Sequence, residues 1–228
     1  MNLSAIGSSS NSKASQYYKQ LSSGKKINSA ADDAAGLAIA EKQKAAVTQA
    51  KVSTQNYQRY QDKANVADSA MSGMTDYLQD MNANSIRAMN GLMSESDLAA
   101  IQQVNDQFAE GISQLGDTTY NEMPAIEGDA ISSATPQNFD LSSIDSALAS
   151  LNTSRSQVGA ESNGYAYAAA VTANTAENLT ASVSRLEDAD MAEAVSGLKK
   201  EQTLEDFRVQ MQKKEQDDQA NQNRLFYQ

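Results

Sequence analysis

The sequence predicts a mainly α fold: a long antiparallel helical bundle or coiled coil formed by the N- and C-terminal halves, interrupted once by a short loop or β-hairpin excursion. Three observations predict it. Apolar residues recur at alternating spacings of three and four over two long stretches, the period of helices that bury one narrow stripe. Both prolines, Pro124 and Pro136, fall in the single interval from Gly116 to Asp140. Aromatic residues are only 6% of the chain and Trp is absent, while Ala supplies much of the 40% apolar content, so the helices can approach closely through small side chains.

The first seam runs through Tyr57, Tyr60, Ala64, Ala67, Met71, Met74, Leu78 and Met81, with polar residues between them. Met71, Met74, Met81 and Met89 form a stripe that reads as core packing in this register, in preference to an adaptable binding groove. Asn90-Gly91 breaks the helix. A shorter helix is expected to begin at Ser94, whose hydroxyl can accept from an unpaired backbone N–H, with Asp97 favourably placed against the helix dipole. Its buried face is expected at Leu98, Ile101, Val104, Phe108, Ile112 and Leu115, so that it folds back on the first helix.

The proline-containing interval, with Gly128 and a Ser-Ser-Ala-Thr run, is the one clear non-helical stretch. It is long enough for a loop or a small hairpin but not for another domain. The second seam follows: Leu141, Ile144, Leu148, Leu151, Arg155, Val158, Ser162, Tyr165, Ala169, Thr172, Ala176, Leu179, Val183 and Leu186, its middle partly polar. The ends differ in character. Ser4 to Ser15 is rich in Ser and Asn, and Lys213 to Asn223 is almost wholly polar, so neither is expected to be a stable helix alone. An apolar cluster, Leu225, Phe226 and Tyr227, offers a docking point near the C-terminus.

Composition excludes several functions. A net charge of −11 and a pI near 4.4 argue against nucleic-acid binding, which needs clustered Lys and Arg. The absence of Cys and His removes thiolate and imidazole ligands, the Cys nucleophile and the commonest general base. Neither a P-loop nor a G-x-G-x-x-G sequence occurs. The densest carboxylates, Asp32 with Asp33 and Glu187 with Asp188 and Asp190, match no metal-binding loop and read as solvated or helix-capping. No enzyme activity and no cofactor are expected. No stretch approaches the roughly 20 apolar residues needed to cross a bilayer, and Met1 to Ser10 lacks the features of a cleaved secretory signal, so no membrane insertion is expected. A chain this extended cannot bury every apolar stripe within one copy, and rods that pack laterally through open, head-to-tail interfaces form filaments.

The stretch from Leu21 to Lys42, LSSGKKINSAADDAAGLAIAEK, resembles the N-terminal signature of bacterial flagellins. SIDSALASLNTSRSQVGA, Ser143 to Ala160, and NTAENLTASVSRLEDADMAEAVSGL, Asn174 to Leu198, are similar to the flagellin C-terminal core. The resemblance covers well over half of the chain. It implies a minimal core subunit without the variable outer domains: residues 1–24 as the N-terminal part of the innermost layer, 25–40 as a connecting motif, 41–115 as the N-terminal helical core, 116–140 as a loop or short β excursion, 141–190 as the C-terminal helical core, and 191–228 as the C-terminal connecting and innermost segment. Asn28, Asp32, Asp33, Leu37 and Ile39 match the connecting motif, and Arg185, Glu187, Asp188 and Asp190 its C-terminal counterpart, which implies intrachain or intersubunit contacts. The implied partners are other flagellin subunits, the flagellar export apparatus, an export chaperone, and the filament cap and junction proteins; the implied location is extracellular.

Two departures stand out. The segment from Glu201 to Gln228 carries a charged run where the family has an Ala, Gln and Leu-rich helix, and the helix before Leu21 is shorter than the family's. Flagellins also engage a Toll-like receptor through a patch aligned with Leu78 to Asn90. This chain has Asp80 where the family pattern has Arg, Asn84 where it has Leu, and Val104 at an acidic position, which implies weak or absent receptor activation. The leading reading is therefore a self-assembling filament subunit for motility. Within the family the alternative is a hook-filament junction protein, against which the DDAAGLAIAEK motif speaks; from another class it is a non-polymerising, flagellin-like secreted or surface binding protein.

Overall fold

The computed structural model describes residues 3–127, 136 and 140–226, and the side chains of residues 12–127, 136 and 140–222. Leu225, Phe226 and Tyr227, and residues 128–135 and 137–139 of the proline-containing interval, lie outside the described side chains. The described residues form five helices and one two-stranded sheet: α1 Leu3–Ser23, α2 Ala34–Ala88, α3 Glu95–Gly116, β1 Thr119–Tyr120, β2 Met123–Pro124, α4 Leu141–Glu187 and α5 Met191–Phe226. They group into two compact units, residues 50–174 and residues 1–49 with 175–228.

Local chemistry sets the ends of these helices. Asp33 Oδ1 accepts from the Gly36 N–H at 2.9 Å and so caps α2. The chain leaves α2 through Gly91 at φ +67, a left-handed conformation that glycine adopts without penalty. Ser94 and Asp97 then form a reciprocal capping box at the start of α3. Asp140 Oδ1 accepts from Ser143 N–H at 2.8 Å at the start of α4, and Asp190 Oδ1 accepts from the N–H groups of Ala192 and Glu193 at the start of α5. Between α3 and α4, β1 and β2 pair antiparallel around Asn121 and Glu122, both at positive φ, as a two-residue hairpin turn requires.

In the unit of residues 50–174, α2 and α4 run antiparallel. Thr54 faces Thr172, Asn65 faces Ser162, Asp68 faces Arg155, and Asn82 faces Asp145. The polar stretch of the second seam therefore finds its matches across the pair, with Arg155 Nε 2.9 Å from the Asp68 carboxylate and the two Thr hydroxyls 2.8 Å apart. α3 lies antiparallel on the upper part of α2: Leu115 meets Gly73, Tyr77 stacks on Phe108, and Asn84 bonds to Asn105. Where three helices meet, the core is dense. Met71, Met74, Leu78, Met81, Ile112, Ile144 and Leu151 are fully buried, with Phe108, Leu148 and Val158 packed against them.

Several expected seam positions depart from burial, and each has a local cause. Tyr60 is 52% exposed because α3 ends above its level; its ring stacks on Tyr165, centroids 5.4 Å apart, while Tyr57 remains half-buried. Leu98 is exposed because the register set by Asn84 and Asn105 places the first turns of α3 beyond the end of α2. Val104 is exposed as well, and the inward face of α3 passes instead through Ile101, Asn105, Phe108 and Ile112. Met89 is 71% exposed, so the methionine stripe leaves the core after Met81. Leu179, Val183 and Leu186, in the other unit, are half-buried.

Truncating Leu78 to Ala should destabilise the unit by about 2–5 kcal/mol, the range for emptying a packed core site. The same change at exposed Leu98 should cost less than about 1 kcal/mol. Urea titration followed by far-ultraviolet circular dichroism measures both, and equal losses would contradict the placement of the core.

Candidate functional site

The matched motifs meet in the unit of residues 1–49 and 175–228. α1 closes with the Gly24 N–H donating to Gln20 O, and Gly24 stands at φ +71, a glycine C-terminal cap. From there the chain runs beside the end of α4. Lys26 N–H donates to Glu187 O at 2.7 Å, Ala189 N–H donates to Gly24 O at 2.9 Å, and Lys25 pairs with Asp188 as an isolated β-bridge. Lys26 Nζ reaches the Arg185 carbonyl at 3.0 Å, placing a cation on the last turn of α4, where the helix dipole favours one.

Glu187 is the centre of this arrangement. Its side chain is only 3% exposed, and the ammonium groups of Lys44 and Lys25 lie 2.5 and 2.9 Å from its two oxygens. Those cations, Lys44 first and Lys25 second, hold its carboxyl below the ordinary glutamate value against the opposing effect of burial. The same contact raises Lys44, with Glu187 the larger cause and Glu41 the smaller. Glu187 is thus neither solvated nor a helix cap, contrary to the expectation from sequence. A buried carboxylate needs a countercharge, and here the two lysines come from a loop and a helix about 140 to 160 positions away.

The acidic residues nearer the N-terminus do form local caps. Asp32 Oδ2 accepts from the backbone of Asn28 and Ser29 and from the Ser29 hydroxyl, and these bonds, led by that from Asn28, lower its pKa. Asn28 Nδ2 in turn donates to Lys25 O at 2.9 Å. Gly36 is required here, since a Cβ would sit 2.3 Å from Asp33 Oδ2 and 2.9 Å from Cδ1 of buried Ile27. Asp188 accepts from the Ser184 hydroxyl.

The remaining expected positions scatter. Leu37 is half-buried, Ile39 is exposed, and Arg185 presents an exposed side chain while its carbonyl serves the junction. Lys25, Lys26 and Lys44 were not singled out by sequence reasoning. Their only local signal is that Lys25 and Lys26 lie inside the matched motif and that Lys44 stands three residues after Glu41. In the other unit, Asp80 and Val104 are exposed, and Asn84 is tied to buried Asn105 by a 3.1 Å bond.

α1 and α5 pair with each other. The ring of Tyr17 lies over Gly197, where a Cβ would come within 2.4 Å of Cζ, and Gln202 Nε2 donates to Tyr18 Oη at 3.0 Å. Neither segment carries a stable helix by composition, and this pairing supplies part of what each lacks. Coverage stays incomplete, because Tyr18, Met191, Val195, Leu204, Phe207, Val209 and Met211 are exposed.

Comparison with known families matches residues 1–129 to the bacterial flagellin N-terminal helical region and residues 141–225 to the bacterial flagellin C-terminal helical region. The chain is 29% identical over 210 residues to a flagellin of Halalkalibacterium halodurans, spanning 76% of this chain and 77% of that protein. It is 26% identical over 242 residues to the flagellar filament 30.7 kDa core protein of Treponema maltophilum, spanning 85% of each. Identity to flagellin FlaB2 of Treponema pallidum is 25%, spanning 82% of each.

The depressed pKa of Glu187 fixes the sign of its effect on stability: its contribution is complete above the unfolded-state value and lost as pH falls through the lower folded value. Lys44 acts in the opposite direction, its contribution present below its unfolded value and lost as pH rises through the raised one. Glu187→Gln should cost about 1–3 kcal/mol at neutral pH, the scale of hydrogen bonds to a charged group. The deficit should shrink as the pH drops below the ordinary glutamate value of 4.5. Thermal melts of wild type and variant across the acidic range measure this; a pH-independent gap would rule out the ion pairs as its source.

Proposed function

The chain belongs to the bacterial flagellin family and is a structural subunit of the flagellar filament; we propose that the α1 and α5 pair forms the innermost assembly layer and the Glu187 junction holds that pair to the rest of its unit. The observation that carries this reading is the incomplete burial of α1 and α5. Helices that expose Tyr18, Leu204, Phe207 and Met211 on a two-helix pair have apolar surface left for other copies to cover.

Polymerisation with other flagellin subunits follows from the family. Export through the flagellum's own channel, handling by an export chaperone, and growth beneath a filament cap next to junction proteins are part of the proposal, supported by membership of an extracellular filament family. So is the assignment of residues 25–40 and 185–190 as the connecting and assembly motif, supported by the backbone bonds between Gly24, Lys26, Glu187 and Ala189. No described helix is long and apolar enough to cross a membrane.

Purified protein added to flagellar filament seeds should lengthen them under polymerising conditions, as seen by negative-stain electron microscopy. Protein that stays monomeric at high concentration would overturn the filament reading. The exposed Asp80, in place of the family's Arg, and Val104, in place of its acidic residue, remove a charge pair from the receptor-facing surface. A Toll-like receptor reporter-cell dose curve should accordingly show weak or no activation, and a response at flagellin-like potency would refute that.

A further inference from the structure

We propose that Asn90 is a self-modification site, converted in the native protein to aspartate and isoaspartate by attack of the Gly91 main-chain nitrogen on its side-chain amide. Asn is a thermolabile side chain, most of all before Gly, whose nitrogen is unhindered. The chain contains two Asn-Gly pairs, Asn90-Gly91 and Asn163-Gly164, and the fold opens this reaction at the first and closes it at the second.

The Gly91 nitrogen gives up its proton to solvent base and forms a bond to Cγ of Asn90. The Cγ–Nδ2 bond breaks, and Nδ2 leaves as ammonia after taking up a proton. A five-membered succinimide remains. Water then opens the ring. At the side-chain carbonyl it breaks the new bond and leaves an ordinary aspartate; at the main-chain carbonyl it breaks the original peptide bond, so that the backbone runs on through the side chain as isoaspartate. The net exchange is one water in and one ammonia out, with nothing oxidised or reduced.

The turn after α2 suits ring closure. Asn90 stands past the last helical residue, so its ψ is not held by a helical ladder. Its own N–H donates to Arg87 O, but the Gly91 N–H, the attacking group, has no backbone acceptor among the described residues. Gly91 carries no side chain to obstruct the ring, and a Cβ placed on it would meet nothing within 4 Å. Both residues are exposed, so base and water reach them.

Asn163 shares the sequence, the exposure and the open space beside its glycine. The main chain is what differs. This pair lies inside α4, where the Gly164 N–H is committed to the carbonyl four residues earlier. A helical side chain leans toward the N-terminus while the next nitrogen lies on the C-terminal side, so the two cannot meet without local unwinding. Asn28-Ser29 shows that leaving a helix is not enough. There the Asn28 amide donates to Lys25 O at 2.9 Å and the Ser29 N–H donates to Asp32 Oδ2 at 2.9 Å, which holds both reacting groups in place.

The product adds one negative charge at the C-terminal end of α2, where the helix dipole disfavours it and where Arg87, on the last turn, is the cation placed to answer it. Each copy thereby grows more acidic with age at a fixed position.

Purified full-length protein, native and unfolded in guanidinium chloride, is incubated at mildly alkaline pH. Each Asn is followed by peptide mapping with mass spectrometry, and isoaspartate by methyltransferase labelling. Unfolded, the two Asn-Gly pairs should react at like rates. In the native protein Asn90 should stay close to its unfolded rate, while Asn163 and Asn28 each fall about tenfold or more below theirs, because a helix or a bonded turn must open first. Asn90→Gln, whose longer side chain closes its ring far more slowly, should remove the acidic species that accumulates on isoelectric focusing. Native rates that are equal at Asn90 and Asn163 overturn the proposal, as does an Asn90 protected as strongly as Asn163, or an acidic species that persists in Asn90→Gln.

Discussion

Two very long helices can bury only a narrow stripe of one another, and the rest of this structure follows from how that stripe is completed. Over the upper part of α2 a third helix closes the stripe, and long flexible methionines fill the space with Leu78, Ile112 and Ile144. Lower down α3 has ended, and α2 and α4 meet with Ala125, Ile126 and Glu127 beside them. There the chain changes chemistry and uses an aromatic stack, a hydroxyl pair and the Arg155 to Asp68 ion pair. Such pairs add little energy each in a half-exposed site. What they fix is register, because a shift along either helix would separate all of them at once.

The junction around Glu187 solves a different problem. Both chain ends lack the apolar content for independent helices, so their alignment has to be imposed by something stronger than a shared stripe. Backbone bonds from Gly24 and Lys26 to the end of α4 do this, and a carboxylate held between two lysines locks the geometry. Removing a carboxylate that answers two cations leaves them in mutual repulsion, which makes the centre sensitive to truncation of the acid.

How far this could be read in the sequence depends on the range over which each feature is decided. The capping box at Ser94 and Asp97 is settled within four residues, so the start of α3 is legible. The run from Met71 to Met81 is legible because its period persists. Periodicity marks which face points inward but not whether a partner stands opposite, which is why Tyr60, Met89 and Leu98 read as core and lie exposed. Asn105 was hidden for the complementary reason: a buried amide bonded to another amide looks like an ordinary polar position. Glu187 is the extreme case, since its partner Lys25 lies 162 positions away, and the motifs that contain the two residues do not say that they meet.

The same mismatch between period and burial carries functional meaning. Positions that keep helical apolar spacing but remain exposed have side chains suited to packing without a partner inside the copy. A chain that stayed monomeric would bear these as an aggregation hazard. In a filament subunit they are surfaces whose burial is deferred to assembly, and the two places where they concentrate, the α1 and α5 pair and the tip beside α3, differ in kind. The first is spread along two paired helices, from Tyr18 on one to Met191, Leu204, Phe207 and Met211 on the other, and the second is confined to the turn between α2 and α3 and the residues beside it.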